Sequence, residues 1–259
     1  MTLIPTETMT VLTPVISTPT PGLLAGDCQL GLGLRQQTIS VFTNHQEHPG
    51  FVMTASVGLA DEYYQGLGGW IRTIGAPSLA ALETKARRAE EDSIQYEALS
   101  YGLETSQSTP DEEWQDLVGS TRAAKTIAES YGKQLVMGPG FRLMSENEQQ
   151  YPILAEMADI WVLQTQRLQS NPPGEEYRAE VERVVNLIRS GNPEISIWAQ
   201  IAFLPDRTPD STEWLAYHDS ISDLVDGTYI GIYIWDSFDD EELVMNVEKI
   251  YEQVCGGQG

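Results

Sequence analysis

Two kinds of side chain in this sequence are suited to chemistry on a neutral ligand: isolated carboxyl groups and a row of amides. Glu97 falls in an apolar stretch, where partial burial would suit it to act as a general acid. Cleavage of a glycosidic bond needs a second carboxyl group, for which Asp236 and Glu104 are the candidates. The competing interpretation of Glu97 is structural, as an inward carboxylate neutralised by Arg72 or Arg142.

The amides and aromatic rings near the predicted strand ends point to the kind of ligand. Amides donate and accept hydrogen bonds at once, and Tyr or Trp rings cover the apolar face of a sugar. Arg142 follows a Gly-Pro-Gly turn and could hold an anionic group. The predicted ligand-binding residues are Arg142, Gln164, Gln166, Gln200, Tyr233 and Trp235. We therefore expect a carbohydrate or another neutral polar ligand.

The elements that must position these residues follow from an alternation of short apolar strands with amphipathic helices. This order is typical of a parallel sheet with helical crossovers. The candidate strands cover residues 38–43, 51–56, 69–74, 93–99, 134–139, 159–166, 195–203 and 228–235. Their number, in a chain of 259 residues, predicts an α/β fold of the (β/α)8 TIM-barrel type, irregular in its first two or three units. A doubly wound open parallel sheet is the alternative.

The loops indicate which end of the barrel holds the site. Alternation of side chains along a strand predicts that Glu97, Tyr233 and Trp235 share an inner, mixed face. Loops that leave the carboxyl ends of the strands are long, and returns from helix to strand are short. In parallel α/β folds the ligand lies over the carboxyl ends. We expect the predicted site residues to meet there.

A family resemblance rests on the run Ile94-Gln95-Tyr96-Glu97, on Tyr233-Ile234-Trp235, and on the layout of about residues 38–254. Together they resemble bacterial glycoside-hydrolase-type (β/α)8 proteins. The resemblance implies that Glu97 fills the acid position and Trp235 the floor of a sugar site.

The chain departs from one pattern of that class. Chitinase-like members carry Asp-x-x-Asp-x-Asp-x-Glu on the fourth strand, where this chain reads Asp92-Ser93-Ile94-Gln95-Tyr96-Glu97 and lacks the supporting aspartates. The leading prediction is a carbohydrate-active barrel that hydrolyses glycosidic bonds with Glu97 as the acid. Two alternatives stay open: a catalytically inactive glycan-binding barrel, and a hydrolase or lyase on a non-sugar substrate whose anionic group Arg142 holds.

Net charge and hydropathy limit the classes of partner that this protein is expected to bind. The formal net charge of −23 repels phosphate backbones and acidic membranes, so we expect no nucleic acid partner. No apolar run approaches the ~20 residues of a membrane span, and we expect a protein that does not insert into membranes and is a monomer. His45 and His48 form an H-x-x-H in a Pro-flanked loop and not on a metalloprotease helix. We predict neither a metal site nor a cofactor.

The two ends of the sequence bear on location. Residues 1–27 are rich in Thr and Pro and predict a linker or stalk before a single domain at residues 28–259. They lack the features of an export signal, and a stalk of this kind suggests a secreted or surface-tethered bacterial protein. Cys28 and Cys255 would staple the first and last elements if they form a disulfide. Two unrelated buried thiols are the alternative.

Overall fold

Eight parallel strands close into a barrel in the computed structural model, which describes residues 29–33, 50–64, 71–104, 108–203, 210–232 and 240–256. Each strand pairs with the next along the chain, and the first pairs with the last through Leu30 and Thr228. The strands are β1 (Leu30–Gly33), β2 (Phe51–Thr54), β3 (Ile71–Ala76), β4 (Ala98–Tyr101), β5 (Gln134–Met137), β6 (Ile160–Gln164), β7 (Ser196–Phe203) and β8 (Gly227–Ile232). Closure confirms the (β/α)8 prediction and excludes the open sheet.

Helices connect the strands on the outside of the barrel. In the described residues they are α1 (Val57–Tyr63), α2 (Leu79–Glu91), α3 (Asp111–Gln115), α4 (Leu117–Ser130), α5 (Phe141–Ser145), α6 (Tyr151–Ala155), α7 (Glu175–Gly191), α8 (Ser211–Ile221) and α9 (Asp240–Val254). Short 3₁₀ helices cover Glu148–Gln150 and Thr165–Ser170. Of the helices described, none combines the length and apolarity that crossing a membrane would need.

The outer core lies between the strands and these helices. Apolar residues at helical spacing supply it, and α7 buries Val181, Val184, Val185 and Ile188. The strands contribute the residues that alternate outward, such as Leu99, Ile197 and Ile230, each fully buried. Burial of one such side chain contributes about 1.5–3 kcal/mol, so the stripe holds α7 against the barrel.

The inner core fills the amino-terminal part of the barrel with large rings. Phe51, Trp198 and Tyr229 are buried there, with ring centroids 5.5 Å apart for Phe51 and Trp198 and 5.6 Å apart for Phe51 and Tyr229. Glycine makes room for them, because a Cβ on Gly227 would lie 2.5 Å from the Trp198 ring. These rings fill the amino-terminal part of the barrel interior, so the interior is open toward the carboxyl ends of the strands.

The strand boundaries agree with the sequence in the second half of the barrel and depart from it in the first. Residues 38–43, predicted as the first strand, lie outside the described residues, and β1 is Leu30–Gly33 instead. The predicted fourth strand at 93–99 was wrong, because β4 begins at Ala98. Ser93 has a φ of 56° in the turn that ends α2, and Ile94 N donates to Ala89 O at 2.8 Å. The residues between α2 and Ala98 therefore belong to the turn that ends α2 and not to the strand.

A buried carboxylate fixes the start of α2 next to β4. Glu113 accepts hydrogen bonds from Leu79 N at 3.0 and 3.2 Å and from the Tyr101 hydroxyl at 2.7 Å. The negative charge also compensates the positive end of the helix. This contact ties α3 to α2 and β4 behind the carboxyl end of the barrel.

The C-terminal helix ends in a disulfide-bonded cysteine. Cys255 is buried just after α9 and is disulfide-bonded. The sequence holds one other cysteine, Cys28, which lies outside the described residues. The division into residues 1–27 and 28–259 stays a prediction.

Candidate functional site

A cavity of about 480 Å³ opens at the carboxyl ends of the strands. It exists because inward positions at this level carry glycine, whereas barrel interiors are ordinarily filled by branched side chains. The glycines that line it are Gly33, Gly75, Gly102, Gly138 and Gly231. The floor includes Val162 and Tyr229, which belong to the inner core, and Met53, which packs against it. The cavity is therefore a deep apolar cup with space for a small ligand.

Three glutamines and one carboxylate supply polar groups to this cup. Gln164 and Gln200 project inward from β6 and β7, and Gln166 follows β6. Gln166 Nε2 donates to Gln164 Oε1 at 3.2 Å, and Gln164 Nε2 donates to Glu104 Oε1 at 2.9 Å and to Gly138 O at 3.0 Å. The amides of Gln166 and Gln164 thus form a chain of hydrogen bonds that ends on the Glu104 carboxylate.

Glu104 lies just beyond β4, where backbone pairing continues past the strand. Gly102 N donates to Ala76 O at 3.0 Å, and Gly140 N donates to Leu103 O at 2.8 Å. Gly140 also gives the glutamate space, because a Cβ there would lie 3.2 Å from Glu104 Cγ. In the described part of the chain, Glu104 Oε2 has no hydrogen-bond donor. One oxygen is anchored by an amide while the other is available to a ligand.

A second cleft of about 280 Å³ continues from the cup past Glu104. It shares Glu104, Gln164 and Gln166 with the first cavity. Its remaining wall consists of Gly140, Phe141, Arg142, Leu143 and Arg167. Arg142, at the start of α5, has 80% of its side chain exposed and lies 3.5 Å from Glu146. The second cleft adds an aromatic ring and two guanidinium groups to the site.

The expectation that Glu97 lies at the carboxyl ends was wrong. Because β4 begins at Ala98, Glu97 precedes the strand and lies at the opposite, amino-terminal end of the barrel. Its Oε2 accepts from Arg72 N and Arg72 Nε, each at 2.9 Å, and its Oε1 pairs with Arg72 Nη2. The hydrogen bond that the Arg72 guanidinium donates to the Glu97 carboxylate raises the pKa of Arg72. This is the structural interpretation of Glu97, with Arg72 as the partner.

The structure brings most of the other predicted residues together. Glu104, Gln164, Gln166 and Gln200 line the main cavity, and Arg142 lines the adjoining cleft. Tyr233, Trp235 and Asp236 lie outside the described residues and come after β8, whose carboxyl end faces the same side. Their roles, and those of the residues brought together, stay predictions.

A half-buried lysine supports the wall of the cavity from outside. Lys85 Nζ, on α2, donates to Ala55 O at 2.7 Å and to Gly75 O at 2.6 Å. Burial lowers the pKa of this ammonium group. Ala55 and Gly75 both line the cavity, so Lys85 holds the carboxyl ends of β2 and β3 in place.

Sequence reasoning missed Phe141, Arg167 and the glycine layer. Phe141 begins α5 shortly after β5, and Arg167 lies in the 3₁₀ helix that follows β6. Their position after a strand end is a signal that could have identified them. The glycines share an inward position only once the strands are in register. In the described residues, no cluster of three or more His, Cys, Asp or Glu side chains could hold a metal ion.

Comparison with known proteins identifies the fold and no family. No family model matches the sequence, and no curated protein matches it. Solved structures do match. A protein from Aquifex aeolicus VF5 aligns with 8% identity over 89% of this chain and 92% of its own, at a TM-score of 0.55. The 3-keto-L-gulonate-6-phosphate decarboxylase from Vibrio cholerae aligns with 8% identity over 88% of this chain and 98% of its own, at a TM-score of 0.52.

A third match is much longer than this chain. It is a Sorangium cellulosum protein named for mandelate racemase/muconate lactonizing enzyme, with 7% identity over 78% of this chain and a TM-score of 0.47. The chain spans about half of its length, 52%. At such identities the matches show the fold alone. This chain is similar to (β/α)8-barrel proteins.

Proposed function

We propose that this protein is a carbohydrate-active barrel that binds a saccharide in the carboxyl-end cavity and cleaves it with Glu104 as the general acid. The observation that carries the proposal is the chain of amides that ends on Glu104 in a cup of otherwise small and apolar side chains. Amides match the mixed donors and acceptors of sugar hydroxyls. The cup also lies where barrel enzymes place their sites.

Glu104 replaces Glu97 in the role of the acid. Glu97 is held by Arg72 at the far end of the barrel, whereas Glu104 is held by the amide of Gln164 within the cavity. Protonation of the leaving oxygen by a carboxylic acid is one half of glycoside cleavage, and the other half needs a nucleophile or base. Asp236, after β8, is our candidate for that second carboxyl group.

A screen against polysaccharides and aryl glycosides tests the proposal. We expect wild type to release product from at least one member, and Glu104→Gln to reduce turnover on the order of 10²–10⁴-fold. The matched control is Glu156→Gln, which removes an exposed carboxyl group near the amino ends of the strands. Asp236→Asn should lose turnover as Glu104→Gln does. Equal turnover by Glu104→Gln and wild type would contradict the proposal.

A glycan-binding barrel without turnover is the second candidate. One observation favours it: among the described residues of the main cavity, Glu104 is the sole carboxylate. Saturable binding of a glycan that no variant and no wild-type preparation cleaves would support this candidate over the first. Failure of every saccharide to bind would exclude both.

We also propose that the protein works outside the cytoplasm, secreted or tethered to a bacterial cell surface, as a monomer. The disulfide-bonded Cys255 supports an oxidising compartment, and the Thr/Pro-rich first 27 residues support a tether. A net charge of −23 opposes binding to nucleic acid. Protease treatment of intact producing cells tests the location, since an exposed protein is degraded and a cytoplasmic one is protected.

A further inference from the structure

We propose that the ligand is an acidic saccharide, and that the second cleft is a subsite for its carboxylate or sulfate group, recognised by Arg142 and Arg167. This inference rests on the proposed function and names the substrate class of the same site. The two cavities form one surface, because Glu104, Gln164 and Gln166 line both. A saccharide anchored in the cup would extend one ring into the cleft.

The cleft matches an acidic sugar ring in three respects. Phe141 lines the cleft and is only partly buried against the core, so its side chain can contact the apolar side of the ring. Gln164 and Gln166 offer amides to its hydroxyls. Two guanidinium groups, from Arg142 and Arg167, can hold a carboxylate or sulfate through paired hydrogen bonds.

The arginines are available for this role. Arg142 Nε lies 3.5 Å from Glu146 Oε1, one helical turn away, and 80% of the Arg142 side chain and 64% of the Glu146 side chain are exposed. Ion pairs between exposed side chains are weak. Arg167 is exposed, and no carboxylate among the described residues forms an ion pair with it. An anionic ligand can therefore engage both guanidinium groups without breaking a strong contact.

The charge of the whole chain makes this pair of arginines informative. The sequence has 38 acidic and 15 basic residues, so its long-range field repels anions. Selectivity for an acidic sugar would need local positive charge at the site to overcome that field. Two arginines in one small cleft beside Glu104 provide it.

Matched pairs of oligosaccharides test the inference: neutral oligoglucosides against the corresponding oligoglucuronides, and each neutral oligomer against its sulfated form. Wild type should bind the acidic member at least about tenfold more tightly. The double variant Arg142→Gln/Arg167→Gln should bind both members of a pair equally. Added salt should weaken the acidic preference of wild type.

The control is Arg87→Gln/Arg122→Gln, which removes the same charge from exposed positions on α2 and α4. It should keep the preference for the acidic member, because only the long-range field changes. Equal binding of neutral and acidic saccharides by wild type, or a preference that survives in the double variant, would overturn the inference and leave the proposed function intact. Absence of binding to any saccharide would overturn both.

Discussion

Glu97 and Glu104 flank the same short strand, and their positions at its two ends decide their roles. Glu97 comes before β4 and meets the Arg72 backbone and guanidinium, which fill its oxygens with donors. Glu104 comes after β4 and meets one amide at the edge of a cavity. A carboxylate saturated by a guanidinium is a structural tie between β3 and β4, whereas one with an open oxygen can act on a ligand.

Glu97→Gln should therefore lower stability. The variant leaves Arg72, with 16% of its side chain exposed, without its charged partner, and we expect a loss of about 1–2 kcal/mol. Denaturant unfolding measures it. Glu91→Gln is the control. Arg87 Nε lies 3.9 Å from Glu91 Oε1, and 61% of the Arg87 side chain and 68% of the Glu91 side chain are exposed. Loss of this surface pair should change stability by less than about 0.5 kcal/mol. Equal losses in the two variants would contradict the structural role.

At the scale of elements, sequence alternation predicted the inner face of β8 correctly, because Tyr229 points into the barrel. The alternation on β6 and β7 was less regular, and there Val162 and Trp198 point inward. The alternation failed at β4, because Ile94 and Tyr96 are also buried and extend the apolar alternation toward the amino terminus. These two residues belong to the segment that leaves α2 and not to the strand. The later start of the strand places Glu97 at the opposite end of the barrel. The predicted inner face was wrong as well, because Ala98 faces the barrel interior and Leu99 faces the helices.

The site was predictable as far as it depends on strand order. Gln164, Gln166 and Gln200 line the cavity because they stand at or near the carboxyl ends of β6 and β7, which the sequence indicates. The cavity itself was not predictable, since it arises from inward glycines on strands that are distant in sequence, such as Gly33 on β1 and Gly138 after β5. Only the register of the closed sheet brings these glycines to one level.

The contact between α8 and β8 predicts a dependence of stability on pH. The His218 ring stacks on the Trp214 ring with their centroids 5.7 Å apart, and His218 Nδ1 lies 3.0 Å from Thr228 Oγ1. Burial lowers the pKa of this imidazole in the folded state, opposed in part by the charge of Asp219. The unfolded chain therefore takes up a proton first as the pH falls below about 6.5. Stability from the neutral ring is present above that pH and is lost below it.

Replacement of His218 isolates this effect from the titration of carboxyl groups. Between pH 7.5 and 5.5, wild type should lose more unfolding free energy than His218→Gln, whose side chain does not titrate. Chemical denaturation at each pH measures the difference. Parallel curves for the two proteins would show that the imidazole has the same pKa in the folded and unfolded states.

At the scale of the whole molecule, a disulfide secures the last helix of a closed barrel. Cys255 lies at the end of α9, and the sequence offers Cys28 as its one possible intrachain partner. Such a bridge would join the beginning and end of the domain and restrict the unfolded chain. In the loop-entropy model, closure of a loop much longer than about 100 residues contributes roughly 5 kcal/mol.

Reduction should therefore lower the melting temperature of wild type. Cys255→Ala should melt at a similarly lowered temperature and should not respond to the reductant, which makes it the matched control. Thermal melts with and without dithiothreitol provide the measurement. A wild-type melting temperature that is unaffected by a reductant shown to open the bridge would contradict the stabilising role.

In our proposal, chemistry occurs at the carboxyl ends of the strands, at Glu104, and not at Glu97. The most direct test measures turnover, on a substrate found in the saccharide screen, for Glu104→Gln and Glu97→Gln well below either melting temperature. We expect Glu104→Gln to lose turnover on the order of 10²–10⁴-fold with an unchanged melting temperature, and Glu97→Gln to keep wild-type turnover and to melt at a lower temperature. Loss of turnover in Glu97→Gln with full turnover in Glu104→Gln would contradict the proposal.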